Sequence, residues 1–280
     1  MTSRNPYQTA NQEPSLKRSV LAYIDILGFS DMIKMSTHLE THEEELKNFY
    51  KALMSGRHWL QENQLTPTTL SLFSKDLFTL KVFTDNIIVG WPVHDDGEAE
   101  LAQAFFRLGA FQLQLVNQGY FLRGAISVGD AYIDEFAVFG NALIEAYEGE
   151  SKLARDPRII LSPSAIKMVK SHLRYYAEER IAPHVSDVLQ DTDGQWFLNY
   201  LACILWAVDE EGPFYAELEL HKQAVERKLQ EYKDAPSIWS KYAWAASYHN
   251  YFCESHPEHF NDKHKIEIEL FRSKPRKIVS

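Results

Sequence analysis

An aspartate that ends an apolar strand is the first position in this sequence with a chemistry to explain. In the run AYIDILGFSD, residues 22–31, Val20, Ala22, Ile24 and Ile26 alternate with Leu21, Tyr23, Asp25 and Leu27 at the two-residue period of a strand. Asp25 falls near the end of that strand, where an unpaired ionised carboxylate costs several kcal/mol. A divalent metal would compensate it. Gly28 then permits a tight exit, and Phe29, Ser30 and Asp31 lead into a segment that can open as a helix. The free backbone N–H groups of such a start suit a phosphate. Metal and phosphate at one strand end point to nucleotide chemistry; the plain alternative is that Asp25 or Asp31 caps a helix. A second acid, Asp85, sits between two β-rich runs, residues 77–83 and 86–93, at the tip of an expected hairpin. Ordinary turn chemistry explains an aspartate there equally well.

The elements that must position these residues follow from periodicity. The first strand is expected over residues 19–27. Residues 38–62 form a helix whose stripe is Leu39, Leu46, Phe49, Tyr50, Leu53 and Leu60, with Glu43 to Glu45 on a solvated face near its start. A second helix spans residues 97–119, stopped by Gly119. Residues 121–132 form a strand whose Gly124 and Gly129 suggest a bulge or a close backbone approach. A short strand at Val138 and Phe139, a helix over 141–154 and a strand over 158–161 follow. The order strand, helix, hairpin, helix, strand, helix, strand predicts an α+β fold, an antiparallel sheet of the split βαβ, ferredoxin-like kind with helices on one face.

Residues 1–16, rich in Asn, Gln, Ser, Thr and Pro, read as a disordered leader. Residues 17–183 read as the catalytic domain, and 184–280 as a mainly helical extension packing on the core or on a dimer partner. Residues 184–194 are expected to be a polar loop. The aromatic run over 238–252, with Trp239, Tyr242, Trp244, Tyr248, Tyr251 and Phe252, reads as a docking face.

The 280 residues suffice for a sizeable core. A formal net charge of -10 argues against a broad nucleic-acid surface. Cys203 and Cys253, the two cysteines, lack metal-ligand spacing and read as free thiols in a reducing compartment. No apolar run approaches a membrane helix or a signal peptide, so the expectation is a cytoplasmic protein.

Taken together, the motifs resemble the class III nucleotidyl cyclases. The F-x-D-I-x-G-F pattern of that family is matched by Tyr23, Asp25, Ile26, Gly28 and Phe29, and its second metal aspartate by Asp85 in LKVFTDNIIV. Its R-x-G-I-x-x-G strand is matched by Arg123, Ala125, Ile126 and Gly129, and its W-G-N-like turn by Phe139, Gly140 and Asn141. The resemblance implies two divalent cations, Mn²⁺ or Mg²⁺, on Asp25, Asp85 and the backbone carbonyl of Ile26. It implies further that Gly28, Phe29 and Ser30 hold the triphosphate, that Arg123 neutralises phosphate charge or serves as a structural arginine, and that Tyr23 borders the nucleotide pocket or is a core tyrosine. Asp25 and Asp85 are the implied catalytic residues.

Departures from the family narrow the reading. Lys81 stands where adenylyl cyclases carry a base-reading lysine, but Ala137 replaces its acidic partner, and Ile144 and Glu148 replace the transition-state asparagine and arginine. The forms AYIDILGF, FTDNI, RGAISVG and FGNALIEAYEGE are similar to the pyrimidine nucleotide cyclases of bacterial Pycsar anti-phage systems. That likeness implies a homodimer making cyclic UMP from UTP, with CTP as the close variant, and a separate effector activated by the product. A catalytically silent nucleotide sensor is the competing reading. A nucleic-acid-binding ferredoxin-like domain is disfavoured by the acidic balance.

Overall fold

The computed structural model describes residues 5–30, 33, 39–61, 79–83, 85–178, 180, 182, 184–268 and 276–277. Strand β1 (Lys17–Ile26) lies between β3 (Asn86–Pro92) and β4 (Leu122–Ile133), antiparallel to both, and β2 (Thr79–Phe83) pairs with the outer side of β3. Helix α1 (Leu39–Gln61) connects β1 to β2, and α2 (Glu98–Asn117) connects β3 to β4. The spatial order β2-β3-β1-β4 for a βαββαβ chain is the ferredoxin-like arrangement. The α+β expectation therefore holds, with β1 at the centre as its alternating sequence requires.

Beyond β4 the chain folds back as β5 (Val138–Phe139), then runs through α3 (Asn141–Lys152) to β6 (Ile159–Leu161), which pairs parallel with β4. Helix α4 (Pro163–Leu173) and the short α5 (His184–Asp187) precede β7 (Val188–Gln190) and β8 (Trp196–Leu198). These strands and β9 (Arg276–Lys277) continue the same sheet in the order β6-β8-β7-β9. Two long helices, α6 (Tyr215–Glu231) and α7 (Pro236–Ser255), complete the described chain.

The two-residue period of β1 separates two cores. Val20, Ala22, Ile24 and Ile26 pack with Phe49, Phe105 and Phe111 of α1 and α2, and with Met168 and Val169 of α4. Leu21, on the opposite face, packs with Ala142 and Ala146 of α3. Further along that second face, Ala125, Ile160 and Phe197 are covered by Trp244, Tyr248 and Phe252 of α7. The aromatic run therefore docks on the chain's own sheet.

Several expectations are corrected. The helices cover both faces of the sheet rather than one, and the sheet is mixed rather than antiparallel throughout. Residues 184–194 contain α5 and β7 instead of a loop, because Val188 and Leu189 are buried and pair with Leu198 and Phe197. The described part of the supposed leader is tied down at two points: Tyr7 is fully buried and its hydroxyl donates to Ser19 Oγ at 3.0 Å, and Asn5 Nδ2 donates to the Ile133 carbonyl at 2.9 Å. On α1, Leu46 and Tyr50 lie 64% and 61% exposed, outside the buried stripe of Phe49 and Leu60, because the apolar arc is wider than a helix can lay on a sheet. Asp31 lies outside the described residues.

Candidate functional site

Strand register builds the site. Asp25 is paired with Asn86 of β3 on one side and Arg123 of β4 on the other, so the three side chains project from the same sheet face. Arg123 Nε donates to Asp25 Oδ2 at 2.8 Å, and its Nη2 lies 2.9 Å from Glu150 Oε1. Glu150 reaches this point from α3, which approaches the sheet closely because Gly129 leaves room for Asn141: a Cβ at 129 would fall 2.6 Å from Asn141 Oδ1. The close backbone approach expected of this strand's glycines is at Gly124, where a Cβ would fall 2.5 Å from the Tyr23 carbonyl oxygen.

Asp85 is brought to the same strand end by its backbone, whose carbonyl accepts from the Ile26 N–H at 3.2 Å. Asn86 Nδ2 donates to Asp85 Oδ1 at 3.1 Å, and the Tyr23 hydroxyl donates to Asn86 Oδ1 at 2.6 Å. The Asp85 carboxyl is also within hydrogen-bonding reach of Asp25. Sequence analysis placed Asp25, Asp85, Tyr23 and Arg123 at one site, and the structure brings these four together.

The electrostatics are those of crowded acids. Burial raises the Asp25 carboxyl above its usual range, the hydrogen bond and charge of Arg123 oppose this, and Asp85 pushes it further up. Burial likewise raises Glu150; Arg123 opposes, while Asp25 and Asp85 add to the rise. The Tyr23 hydroxyl is pushed up to about 12, by burial first and then by Glu150 and Asp25. Lys241 of α7 faces the same cluster: burial and Arg123 hold its ammonium below the usual value, and Asp156 and Asp25 pull the other way.

Asp25 and Asp85 suit a divalent cation, since Asp85 adds to the rise of the Asp25 carboxyl and a cation between two converging carboxylates relieves that repulsion. Ile26, the last residue of β1, sets its carbonyl at the same strand end. Among the described residues no three His, Cys, Asp or Glu side chains form a ready metal cage. A cation here would complete its coordination with substrate oxygens and water.

Gly28 turns the chain at φ 77°, and Phe29 and Ser30 open a helical turn, with Gly28 and Ser30 exposed. Phe29 is fixed by Phe49, their ring centres 5.1 Å apart. Lys81 shares a cross-strand row with Ile88 and Tyr23, which puts it on the face of Asp25. No hydrogen bond or ion pair joins Lys81 to the other site residues among those described; its charge acts on Asp134 instead. Ile144 is 62% exposed, and Glu148 pairs with Lys152 at 2.7 Å.

Sequence reasoning missed Glu150, Asn86 and Lys241 as members of the cluster. Glu150 was discoverable: Ala142, Ala146, Gly149 and Glu150 are the buried positions of α3, and an acid on an otherwise small, apolar stripe needs a partner. For Lys241 no local signal exists, since only the docking of α7 places it there.

No protein-family model matches the sequence, and no curated protein matches it. Among solved structures, the chain is similar to a class III adenylyl cyclase-like ATP-binding protein from Pseudomonas aeruginosa. The TM-score is 0.39 at 13% identity, over 57% of this chain and 37% of that one, so this chain spans well under half of its length.

Proposed function

We propose that the protein is a pyrimidine nucleotide cyclase that converts UTP to 3′,5′-cyclic UMP and pyrophosphate, with CTP as the close alternative substrate. The observation that carries this reading is the Asp25–Asp85 pair at the end of the central strand, beside the Gly28 turn. In the reaction the ribose 3′-oxygen bonds to the α-phosphorus, the bond from that phosphorus to the pyrophosphate oxygen breaks, and the hydroxyl proton is lost. Divalent cations, Mn²⁺ or Mg²⁺, bound by Asp25, Asp85 and the Ile26 carbonyl would acidify that hydroxyl and neutralise the departing phosphates. Arg123 fixes the rotamer of Asp25 and holds Glu150 away from free rotation. The exposed turn Gly28 to Ser30 offers backbone and hydroxyl donors to the triphosphate. Lys81, on the same face, reaches toward the base.

The protein works as a homodimer, and its product is a second messenger for a separate effector in anti-phage defence. Support for the dimer comes from Phe136, Phe139, Ile144 and Tyr147, which are 82%, 67%, 62% and 51% exposed on the β4–β5 turn, β5 and α3, next to the site. No helix among the described residues is long and apolar enough to cross a membrane.

A silent nucleotide sensor is the second reading, favoured by the exposed Ile144 and the Lys152-paired Glu148 where a catalyst needs polar and cationic groups. Incubation of the purified protein with Mn²⁺ and each of ATP, GTP, CTP and UTP, with products identified by mass, separates the two. A cyclic pyrimidine product is expected; none from any of the four, in folded protein, favours the sensor.

A further inference from the structure

A cavity of about 340 Å³ opens at the end of β1, lined by Gly28 and Phe29 and by Arg227, Lys228 and Glu231 of α6. It adjoins the carboxylate cluster: Leu27, in its wall, is two residues from Asp25, just past the end of β1, and Tyr242, also in its wall, is next to Lys241. The charged groups in this wall are not equivalent. Lys228 Nζ is 2.8 Å from Glu231 Oε2 and 5.5 Å from the Tyr232 ring, so its charge is already answered. The fourth charge in the wall, Glu45, acts on Tyr120, whose hydroxyl is raised by burial first and by Glu45 second. Arg227 is exposed and has neither an ion pair nor a hydrogen bond among the described residues. In the same cavity lining, the N–H groups of Gly28 and Phe29 have no acceptor among the described residues. A free guanidinium and free amides lining one cavity make a site for an oxyanion.

We propose that Arg227 is a phosphate-binding residue, its guanidinium engaging the terminal phosphates of a nucleoside triphosphate laid across Gly28 and Phe29. The proposal rests on the nucleotide reading above and deepens it. It assigns the C-terminal helix α6 a part in substrate binding, and it supplies from there positive charge that Glu148 on α3 cannot provide. Guanidinium geometry matters, because its parallel N–H groups grip two phosphate oxygens where an ammonium offers a point charge.

The test is calorimetric titration with magnesium tripolyphosphate, which has no base or ribose, into the full chain, Arg227→Ala and Arg227→Lys. Wild type is expected to bind, Arg227→Ala about tenfold or more weakly, and Arg227→Lys in between. Urea midpoints are expected to stay equal, since the side chain is exposed. Equal affinity of wild type and Arg227→Ala, or no binding by wild type, overturns the proposal. Cyclic product formed by Arg227→Ala with wild-type KM leaves the cyclase reading standing and removes Arg227 from it. Weakened tripolyphosphate binding with no turnover of any nucleotide keeps the anion site and removes the cyclase.

Discussion

At Arg123 one guanidinium answers two acids that would otherwise repel, Asp25 at 2.8 Å and Glu150 at 2.9 Å. The two bonds differ in consequence. Asp25 is 16% exposed and has a second use in the proposed function, as a metal ligand, whereas Glu150 is 6% exposed, and its Oε1 has no directed hydrogen bond, only the ionic contact. Truncating the cation strands Glu150, so Arg123→Ala is expected to lower stability by about 2 kcal/mol. Adding Glu150→Gln to that variant is expected to recover part of the loss, because a neutral amide needs no counter-charge. Urea unfolding of the single and double variants decides it; equal stability of wild type and Arg123→Ala would show that solvent already screens Glu150. The aspartates give the opposite signature. Asp25→Ala and Asp85→Ala are each expected to abolish turnover while circular dichroism stays native, since each removes an acid that its neighbour repels. A variant that forms product at a near-normal rate has lost nothing the chemistry needs, and its residue leaves the metal site.

Helix α3 sets how close Glu150 comes to the sheet, and its packing turns on one hydrogen atom. A Cβ at Gly149 would stand 2.7 Å from the Ala125 Cβ and 3.1 Å from Ser162 Oγ. Helix propensity favours alanine over glycine by about 1 kcal/mol, but overpacking of this kind costs about 1–3 kcal/mol. Contact with backbone-anchored Ala125 leaves no flexible end to yield, so the clash wins. Gly149→Ala is expected to lower Tm, and Ala125→Gly in the same chain to restore part of it by removing the opposing carbon; a Tm raised by Gly149→Ala alone would show that the helix lifts freely. How legible such elements were in the sequence depends on their length and on what holds them. The alternation from Val20 to Leu27 and the Thr84–Asp85 break in the hairpin were enough to place β1, β2 and β3, because those strands carry their own period. Strand β7 is three residues, Val188–Gln190, between polar flanks, and exists through pairing with β8 and β9. No window of that length has a period. Tyr7 was hidden for a related reason: polar composition from 1 to 16 is an average, and one buried aromatic outweighs it. Asp25 and Asp85 were visible because acids in apolar runs are conspicuous, while Lys241 is an ordinary lysine until α7 docks.

Across the whole molecule, the C-terminal helices are joined to each other by a buried hydrogen-bonded chain with a single consistent direction. The His264 carbonyl accepts from His249 Nε2 at 2.8 Å, so the neutral His249 ring presents a bare Nδ1 to His221 Nδ1 at 3.0 Å. His221 must donate there and accept at Nε2 from the Tyr200 hydroxyl at 2.8 Å. Both rings are fully buried and neutral: burial holds His249 at about 4 and His221 well below its ordinary value. As pH falls below about 6.5 the unfolded chain takes up protons that these rings refuse, so their stabilising contribution is lost down to about pH 4. Asp187, raised by burial to about 6, opposes this slope, so the comparison must be with a variant. His249→Gln, which keeps a donor for the His264 carbonyl, is expected to lose less stability than wild type between pH 6.5 and 4, on the order of the shift of one histidine. Parallel urea midpoints for the two proteins would place the acid sensitivity elsewhere. The last question at this scale is whether one chain holds a complete site. Phe136, Phe139, Ile144 and Tyr147 leave an apolar edge in water, and the Tyr147 ring meets that of Tyr23 at 5.6 Å, on the strand of Asp25. A partner covering that edge would bring its own residues to the carboxylates, where Ile144 and Glu148 of this chain offer no help. Ile144→Asp puts a charge on that edge without touching the core, since the side chain is 62% exposed. The expected outcome is a monomer by sedimentation, native circular dichroism and no turnover. A monomer that cyclises nucleotide at the wild-type rate per chain would mean that everything the reaction needs is carried between β1, α3 and the C-terminal helices of a single copy.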